Sequence, residues 1–161
     1  MVKKLFLVRH AEAANTTADD FNRPLTPVGE RVARHLGKWL DGQEIVIDQL
    51  ITSTALRAIT TTELINESLG KGSVKSESEL YEASVRTFLR TINEISDDHQ
   101  QVLIVAHNPA ITYLAEYVSG QPLSNMEPGG VCILSFENLS WAEVSEKTGY
   151  LVKYVSPQEI S

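Results

Sequence analysis

The chain has 161 residues, 42% of them hydrophobic and 22% charged, with a formal net charge of −7. That length suits one domain over residues 1–161 with a full-sized core. The acidic balance argues against nucleic acid or an anionic membrane as partner, so an anionic ligand would need a local cluster of cations. A single cysteine, Cys132, leaves no internal disulfide and no cysteine-based zinc site, and its apolar neighbours read it as a small buried hydrophobe. Lys3 and Lys4 precede an apolar run too short for a signal peptide, and no segment approaches a membrane span, so a cytoplasmic protein is expected.

Residues 3–8 form the first predicted strand, and Leu5-Phe6-Leu7-Val8 is continuous enough to be buried on both faces, as in a parallel sheet. The run ends in Arg9 and His10. Adjacent strand residues point to opposite faces, so these two share a site only if the strand stops near Val8 and the backbone turns. A polar loop, Glu12 to Asn22, follows and is long enough to act as a flap. Thr26 then offers a helix cap, Pro27 suits the first helical position, and Glu30 suits the first turn. Val28, Val32, Leu36, Trp39 and Leu40 continue the helix as an apolar stripe, with Gly42 as its end.

Residues 48–52 read as a second strand, and Thr52-Ser53-Thr54 offers caps for a helix over residues 55–69, closed by Gly70 and Gly72. A brief strand is expected at 74–77. A loop over 79–84, with Ser84 as cap, leads to Val85, Phe88, Leu89, Ile92 and Ile95 at helical spacing. Val102-Leu103-Ile104-Val105-Ala106 is the most hydrophobic run and predicts a central strand, ending in His107. Asn108 is positioned to cap, and Pro109 to begin, a helix carrying Ile111, Leu114, Ala115 and Val118. Gly129-Gly130 marks a turn, after which residues 131–136, 141–145 and 150–155 read as strands in hairpin-like connection. The expected fold is α/β, a three-layer α/β/α domain whose mostly parallel central sheet ends in antiparallel C-terminal strands.

Two buried strands thus end in imidazoles, and the helix after the second strand opens near Arg57. Ligands of open α/β sheets sit at the carboxyl ends of the strands, so His10, Arg57 and His107 are expected on one rim. Two arginines and two histidines suit a dianion, because guanidinium groups stay charged and grip phosphate oxygens bidentately. Nearby cations disfavour a protonated imidazole, and a neutral one is a nucleophile, which makes His10 the candidate to attack phosphorus. His107 would then stabilise the transferring phosphoryl group. A carboxylic acid is still wanted for the leaving group, and Glu82 is the best-placed candidate, with Glu12, Glu79 and Asp19 as competitors. His35 lies beside the apolar stripe and reads as structural, His99 as surface, and Trp39 and Trp141 as packing. No pair of histidines has metal-ligand spacing, so no metal or other cofactor is expected.

Leu7-Val8-Arg9-His10-Ala11-Glu12 resembles the RHG motif of the histidine phosphatase superfamily, with its phosphoglycerate-mutase-like fold. Pro24-Leu25-Thr26-Pro27-Val28-Gly29 resembles that family's PLT-x-x-G segment, Ser53 to Ala58 its S-x-x-x-R-A segment, and Val105-Ala106-His107-Asn108 its second-histidine motif. The resemblance implies His10 as nucleophile, with Arg9, Arg57 and His107 completing the phosphate pocket. Within the superfamily the likeness is to the SixA-type phosphohistidine phosphatase subgroup. Arg23, preceding Pro24-Leu25-Thr26, matches an arginine of that subgroup and implies a further phosphate contact, and Leu80 to Ser84 is also similar. Ala11 stands where the motif has glycine, which costs little unless φ must be positive. The asparagine that mutase-type members carry six residues after the nucleophile is absent, with Thr16 in that place and Asn15 one earlier.

The long insertion that covers the site in mutases is also missing, so no lid is expected between Arg57 and Glu82. An open site admits a phosphorylated side chain, and the expected activity is removal of phosphate from phosphohistidine on a protein. A small phosphorylated metabolite, handled by a phosphomonoesterase of the same superfamily, is the second expectation. A module that recognises phosphate without turnover is the alternative from another class. The oligomeric state is open.

Overall fold

The computed structural model of the protein describes residues 1–16, 19–71 and 73–160. Part of the polar loop after His10, and the expected helix breaker Gly72, lie outside the described residues. One six-stranded sheet has the order β3-β2-β4-β1-β5-β6. Its strands are β1 (Val2–Arg9), β2 (Gln49–Ser53), β3 (Val74–Glu77), β4 (Gln101–Ala106), β5 (Val131–Glu137) and β6 (Tyr150–Val155). β1 to β4 run parallel through the pairs β1–β4, β2–β4 and β2–β3, and β5 and β6 are antiparallel to their neighbours. The expected mostly parallel sheet with an antiparallel C-terminal part is present.

Helices α1 (Pro27–Gly42) and α2 (Leu56–Leu69) pack together over one face; α3 (Val85–Asn93) and α4 (Ala110–Ser119) cover the other. The alternation of β1 divides the core accordingly: Leu5 and Leu7 join the α3/α4 cluster, while Phe6 and Val8 join the α1/α2 cluster. A four-residue helix, α5 (Pro157–Ile160), follows β6 and touches α1. Among the described residues no helix is long and apolar enough to cross a membrane.

Three local expectations differ from the structure. Residues 141–145 do not form a strand; Trp141–Glu143 is a single 3-10 turn closed by a reciprocal capping box between Ser140 and Glu143. That turn drives Trp141 fully into the core, where its indole donates to the His99 carbonyl at 2.8 Å. At α2 the N-cap is Ala55, whose methyl side chain offers no cap; the expected cap Ser53 instead accepts from Ala55 N–H and meets His107. At α4 the N-cap is Pro109 rather than Asn108, whose amide instead accepts from the Thr112 hydroxyl at 2.6 Å and donates to the Met126 carbonyl at 3.1 Å. The expected caps Thr26 and Ser84 do accept from Gly29 and Thr87 backbone N–H groups.

The loop after β1 is clamped to the start of α1. Thr26 N–H donates to the Glu12 carbonyl at 3.0 Å, and Ala14 N–H to the Pro24 carbonyl at 2.7 Å. Gly29 makes this possible, since a Cβ there would lie 2.2 Å from the Glu12 carbonyl oxygen. Ala11 is fully buried and has no positive φ, so alanine is tolerated in place of glycine.

Candidate active site

The parallel strands end on one edge of the sheet, which brings the residues that follow β1, β2 and β4 together. β1 runs one residue further than expected, with Arg9 still in register with Ala106, and His10 continues the pairing through its N–H to the Ala106 carbonyl at 3.0 Å. His107 is the first residue after β4, and Arg57 lies in the first turn of α2. The His10 and His107 rings lie 5.2 Å apart, and both residues are buried. The fold thus gathers His10, His107, Arg9 and Arg57 at the rim anticipated from their positions at strand ends.

His10 is fixed by two neighbours. Its Nδ1 lies 2.8 Å from the Ala11 carbonyl, which only a protonated nitrogen can use, so Nδ1 carries the hydrogen and Nε2 is a bare lone pair. Arg57 Nε donates to that Nε2 at 3.3 Å. Burial above all holds the imidazole's pKa down at about 4, with the Arg57, Arg9 and Arg23 charges acting in the same direction. The His107 pKa is down at about 3, again chiefly from burial, with the charges on His10 and Arg57 adding to it. Both rings are therefore neutral at neutral pH.

Several further polar contacts position these side chains. Ser53 is fully buried and its hydroxyl sits 2.7 Å from His107 Nε2. The same oxygen accepts from Ala55 N–H at 3.3 Å, and its own hydrogen is free to point at the imidazole. With Nε2 accepting, the His107 hydrogen is on Nδ1, a buried atom without a partner among the described residues. Thr61 donates to the Arg57 carbonyl at 2.7 Å and accepts from Ala11 N–H at 3.0 Å, tying the first turn of α2 to the end of β1. Arg9 Nη1 donates to the Met126 carbonyl at 2.8 Å, while its buried Nε is unpartnered among the described residues. Two unpaired donors thus lie at the same site, where an oxyanion would satisfy both.

Asp20 is the residue the sequence did not distinguish. Arg57 donates to its backbone carbonyl through Nη1 at 2.7 Å and to its carboxylate through Nη2 at 3.0 Å. The Tyr81 hydroxyl and Arg23 Nε donate to the same carboxylate at 2.6 and 3.2 Å. The Tyr81 hydrogen bond first, and then Arg57, hold its pKa down at about 2, so it is ionised at neutral pH. Arg23 also reaches the Ala14 carbonyl at 3.3 Å, and its charge is felt at His10.

Glu82 is exposed in the turn after Tyr81, and no hydrogen bond or ion pair joins it to the cluster among the described residues. His35 and Trp39 are half-buried on α1, and His99 is half-buried in its turn. Burial pushes the Cys132 thiol up to about 12, as for an inert packing residue. Among the described residues no group of three or more histidine, cysteine or acidic side chains could hold a metal ion.

A family model described as the histidine phosphatase superfamily (branch 1) matches residues 5–89. The phosphohistidine phosphatase SixA of Escherichia coli (strain K12) is 32% identical over 124 residues, covering 73% of this chain and 76% of that protein. The structure of a protein histidine phosphatase SixA complexed with tungstate superposes with a TM-score of 0.86 at 25% identity, covering 98% of this chain and 99% of that one. A mycobacterial glucosyl-3-phosphoglycerate phosphatase shares the fold, with a TM-score of 0.75 at 13% identity over 97% of this chain and 100% of the other.

Proposed function

The chain belongs to the histidine phosphatase superfamily and is a phosphatase; on that premise we propose that it removes phosphate from phosphohistidine on a protein, by way of a phosphohistidine intermediate on its own His10. The observation that carries this reading is the state of His10: a buried, neutral imidazole whose hydrogen is committed to Ala11 and whose bare Nε2 faces a guanidinium. His10 Nε2 attacks phosphorus as the bond to the leaving nitrogen breaks, and that nitrogen keeps the bonding pair. Arg9, Arg57 and Arg23, with the His107 Nδ1 hydrogen, take the phosphoryl oxygens. Water then attacks the phosphohistidine, releasing inorganic phosphate and restoring the neutral ring.

Three guanidinium charges against the one Asp20 carboxylate leave a surplus of two positive charges, matching one phosphoryl dianion. This local surplus answers the chain's overall acidity. A protein substrate is supported by the likeness to SixA and by the chain between Arg57 and Glu82. Among the described residues, α2, β3 and a 3-10 turn at Ser78–Leu80 are the only elements that segment forms. Glu82, exposed in the turn after Tyr81, is assigned acid and base work on ester substrates.

A substrate panel tests the proposal: a phosphohistidine protein, a phosphoserine peptide, sugar phosphates and an aryl phosphate. Preference for the P–N bond is expected, together with an acid-labile, base-stable phosphoenzyme that His10→Ala abolishes. Wild-type protein that binds phosphate but forms no phosphoenzyme would refute the covalent route, and preference for sugar phosphates would favour a metabolite substrate. Glu82→Gln is expected to slow esters in order of leaving-group pKa; full activity on poor leaving groups would assign the acid elsewhere.

A further inference from the structure

Asp20 presents a puzzle that phosphate binding does not resolve. A carboxylate beside an oxyanion pocket repels the ligand and cancels part of the charge that attracts it. Yet this one is built in, held by Arg57, Arg23, Tyr81 and its own backbone carbonyl. We propose that Asp20, with the rings of Tyr81 and Phe21, forms a leaving-group subsite whose ligand is a protonated nitrogen ring. The inference rests on the reading of His10 as nucleophile and names what departs from phosphorus.

The placement follows from one guanidinium. Arg57 Nε touches His10 Nε2 at 3.3 Å, and Arg57 Nη2 touches the Asp20 carboxylate at 3.0 Å, so nucleophile and carboxylate sit on neighbouring edges of the same flat group. In-line displacement requires the leaving atom opposite Nε2 across phosphorus, away from the buried ring and towards the mouth. His10 is 7% exposed, whereas the Asp20 side chain is 56% exposed, so the carboxylate stands at that mouth. A carboxylate offers about four acceptor directions. Arg23, Arg57 and Tyr81 occupy three, and one remains.

Aromatic faces border the same place. Phe21 and Tyr81 meet edge to face at 5.0 Å, and Tyr81 meets the His107 ring at 5.7 Å. A flat cation gains from both neighbours, through a charge-assisted hydrogen bond to the carboxylate and stacking on a ring. The bridging oxygen of a phosphate ester carries no hydrogen for the carboxylate, and a second phosphate is repelled.

The chemistry balances without an added acid. In N-phosphorylated imidazolium the ring nitrogen not bonded to phosphorus carries a hydrogen. Asp20 accepts a hydrogen bond from that N–H and keeps the proton on the ring. When His10 Nε2 bonds to phosphorus and the P–N bond breaks, its electron pair returns to the ring, which departs as neutral imidazole. Without that proton the departing species is imidazolide, a far poorer leaving group. Asp20 remains ionised throughout and transfers no proton.

Asp20→Asn in the full-length chain tests this, since asparagine keeps the backbone bond to Arg57 and a side-chain oxygen for Tyr81 while losing the charge. kcat/KM is measured on a phosphohistidine protein and on p-nitrophenyl phosphate, whose leaving group is an anion. A charge-assisted hydrogen bond is worth about tenfold to a hundredfold, so the ratio of the two activities is expected to fall at least about tenfold, with the aryl phosphate rate rising. Parallel losses on both substrates, or no change in the ratio, would overturn the subsite and leave Asp20 as a positioning residue for Arg57. If wild-type protein fails on phosphohistidine, the proposed function fails on its own. N-phosphorylimidazole, from which the same neutral ring departs, then replaces the phosphoprotein, and the same ratio decides the subsite.

Discussion

Replacing Ser53 with alanine asks whether His107 acts as an oriented neutral donor. In the folded protein the Ser53 hydroxyl lies 2.7 Å from His107 Nε2 while accepting from Ala55 N–H at 3.3 Å. With the hydroxyl donating, the imidazole hydrogen is on Nδ1. Alanine leaves a buried imidazole nitrogen and a backbone N–H without that hydroxyl, and an unsatisfied buried polar group costs about 1–3 kcal/mol. At about 2–4 °C per kcal/mol for a domain of this size, the melting temperature should fall by about 2–12 °C. Deleting a positioned donor outright costs about 10²–10³ in kcat; with the ring retained but its tautomer released, a loss of about tenfold to a hundredfold is expected. Calorimetry and steady-state turnover of one phosphate ester measure the two effects separately. A destabilised variant with wild-type kcat refutes the tautomer argument, and an unshifted melting temperature refutes the burial argument.

Both histidines have their pKa values lowered in the fold, so the unfolded chain takes up protons first as pH falls. Stability should therefore be highest above about pH 6.5 and decline towards pH 4, each imidazole contributing up to about 1.4 kcal/mol per pH unit. Denaturant unfolding at pH 7 and pH 5 checks this, and equal stability at the two would contradict buried neutral rings. The kcat/KM profile, corrected for substrate ionisation, should keep its acid limb near pH 4, where free His10 protonates. Gly29→Ala drives a Cβ to 2.2 Å from the Glu12 carbonyl oxygen, backbone against backbone, and should cost about 1–3 kcal/mol. It should also lower turnover, because the displaced segment follows His10 directly. Gly42→Ala meets nothing within 4 Å and should be neutral or stabilising by up to about 1 kcal/mol, a control that separates the clash from glycine's chain entropy.

The elements with strong local signals were legible. The apolar runs of β1 and β4, the Thr26-Pro27 start of α1 and the periodicity of α3 each carry their own pattern, and the structure places them within a residue or two of expectation. At residues 141–145 the Ser140-x-x-Glu143 capping box, a signal present in the sequence, closes a 3-10 turn where a strand is expected. Ser53 lies inside the S-x-x-x-R-A segment, where its sequence context suggests a helix cap. A hydroxyl serves a backbone N–H or a distant imidazole equally well, and only the approach of β2 to β4 supplies the imidazole.

The order of residues therefore determined which side chains end buried parallel strands, and with it that His10, His107 and Arg57 share a rim; strand polarity leaves no other edge for them. Sequence also determined that phosphate attraction had to be local, since the chain as a whole is acidic. Tertiary structure alone decided which polar neighbours these groups acquire: Asp20 meets Arg57 across 37 positions and Tyr81 across 61, and Ser53 meets His107 across 54. Hydrogen bonds between single side chains leave no period in a sequence. Asp19 and Asp20 are indistinguishable until the fold sets a guanidinium and a phenol beside one of them.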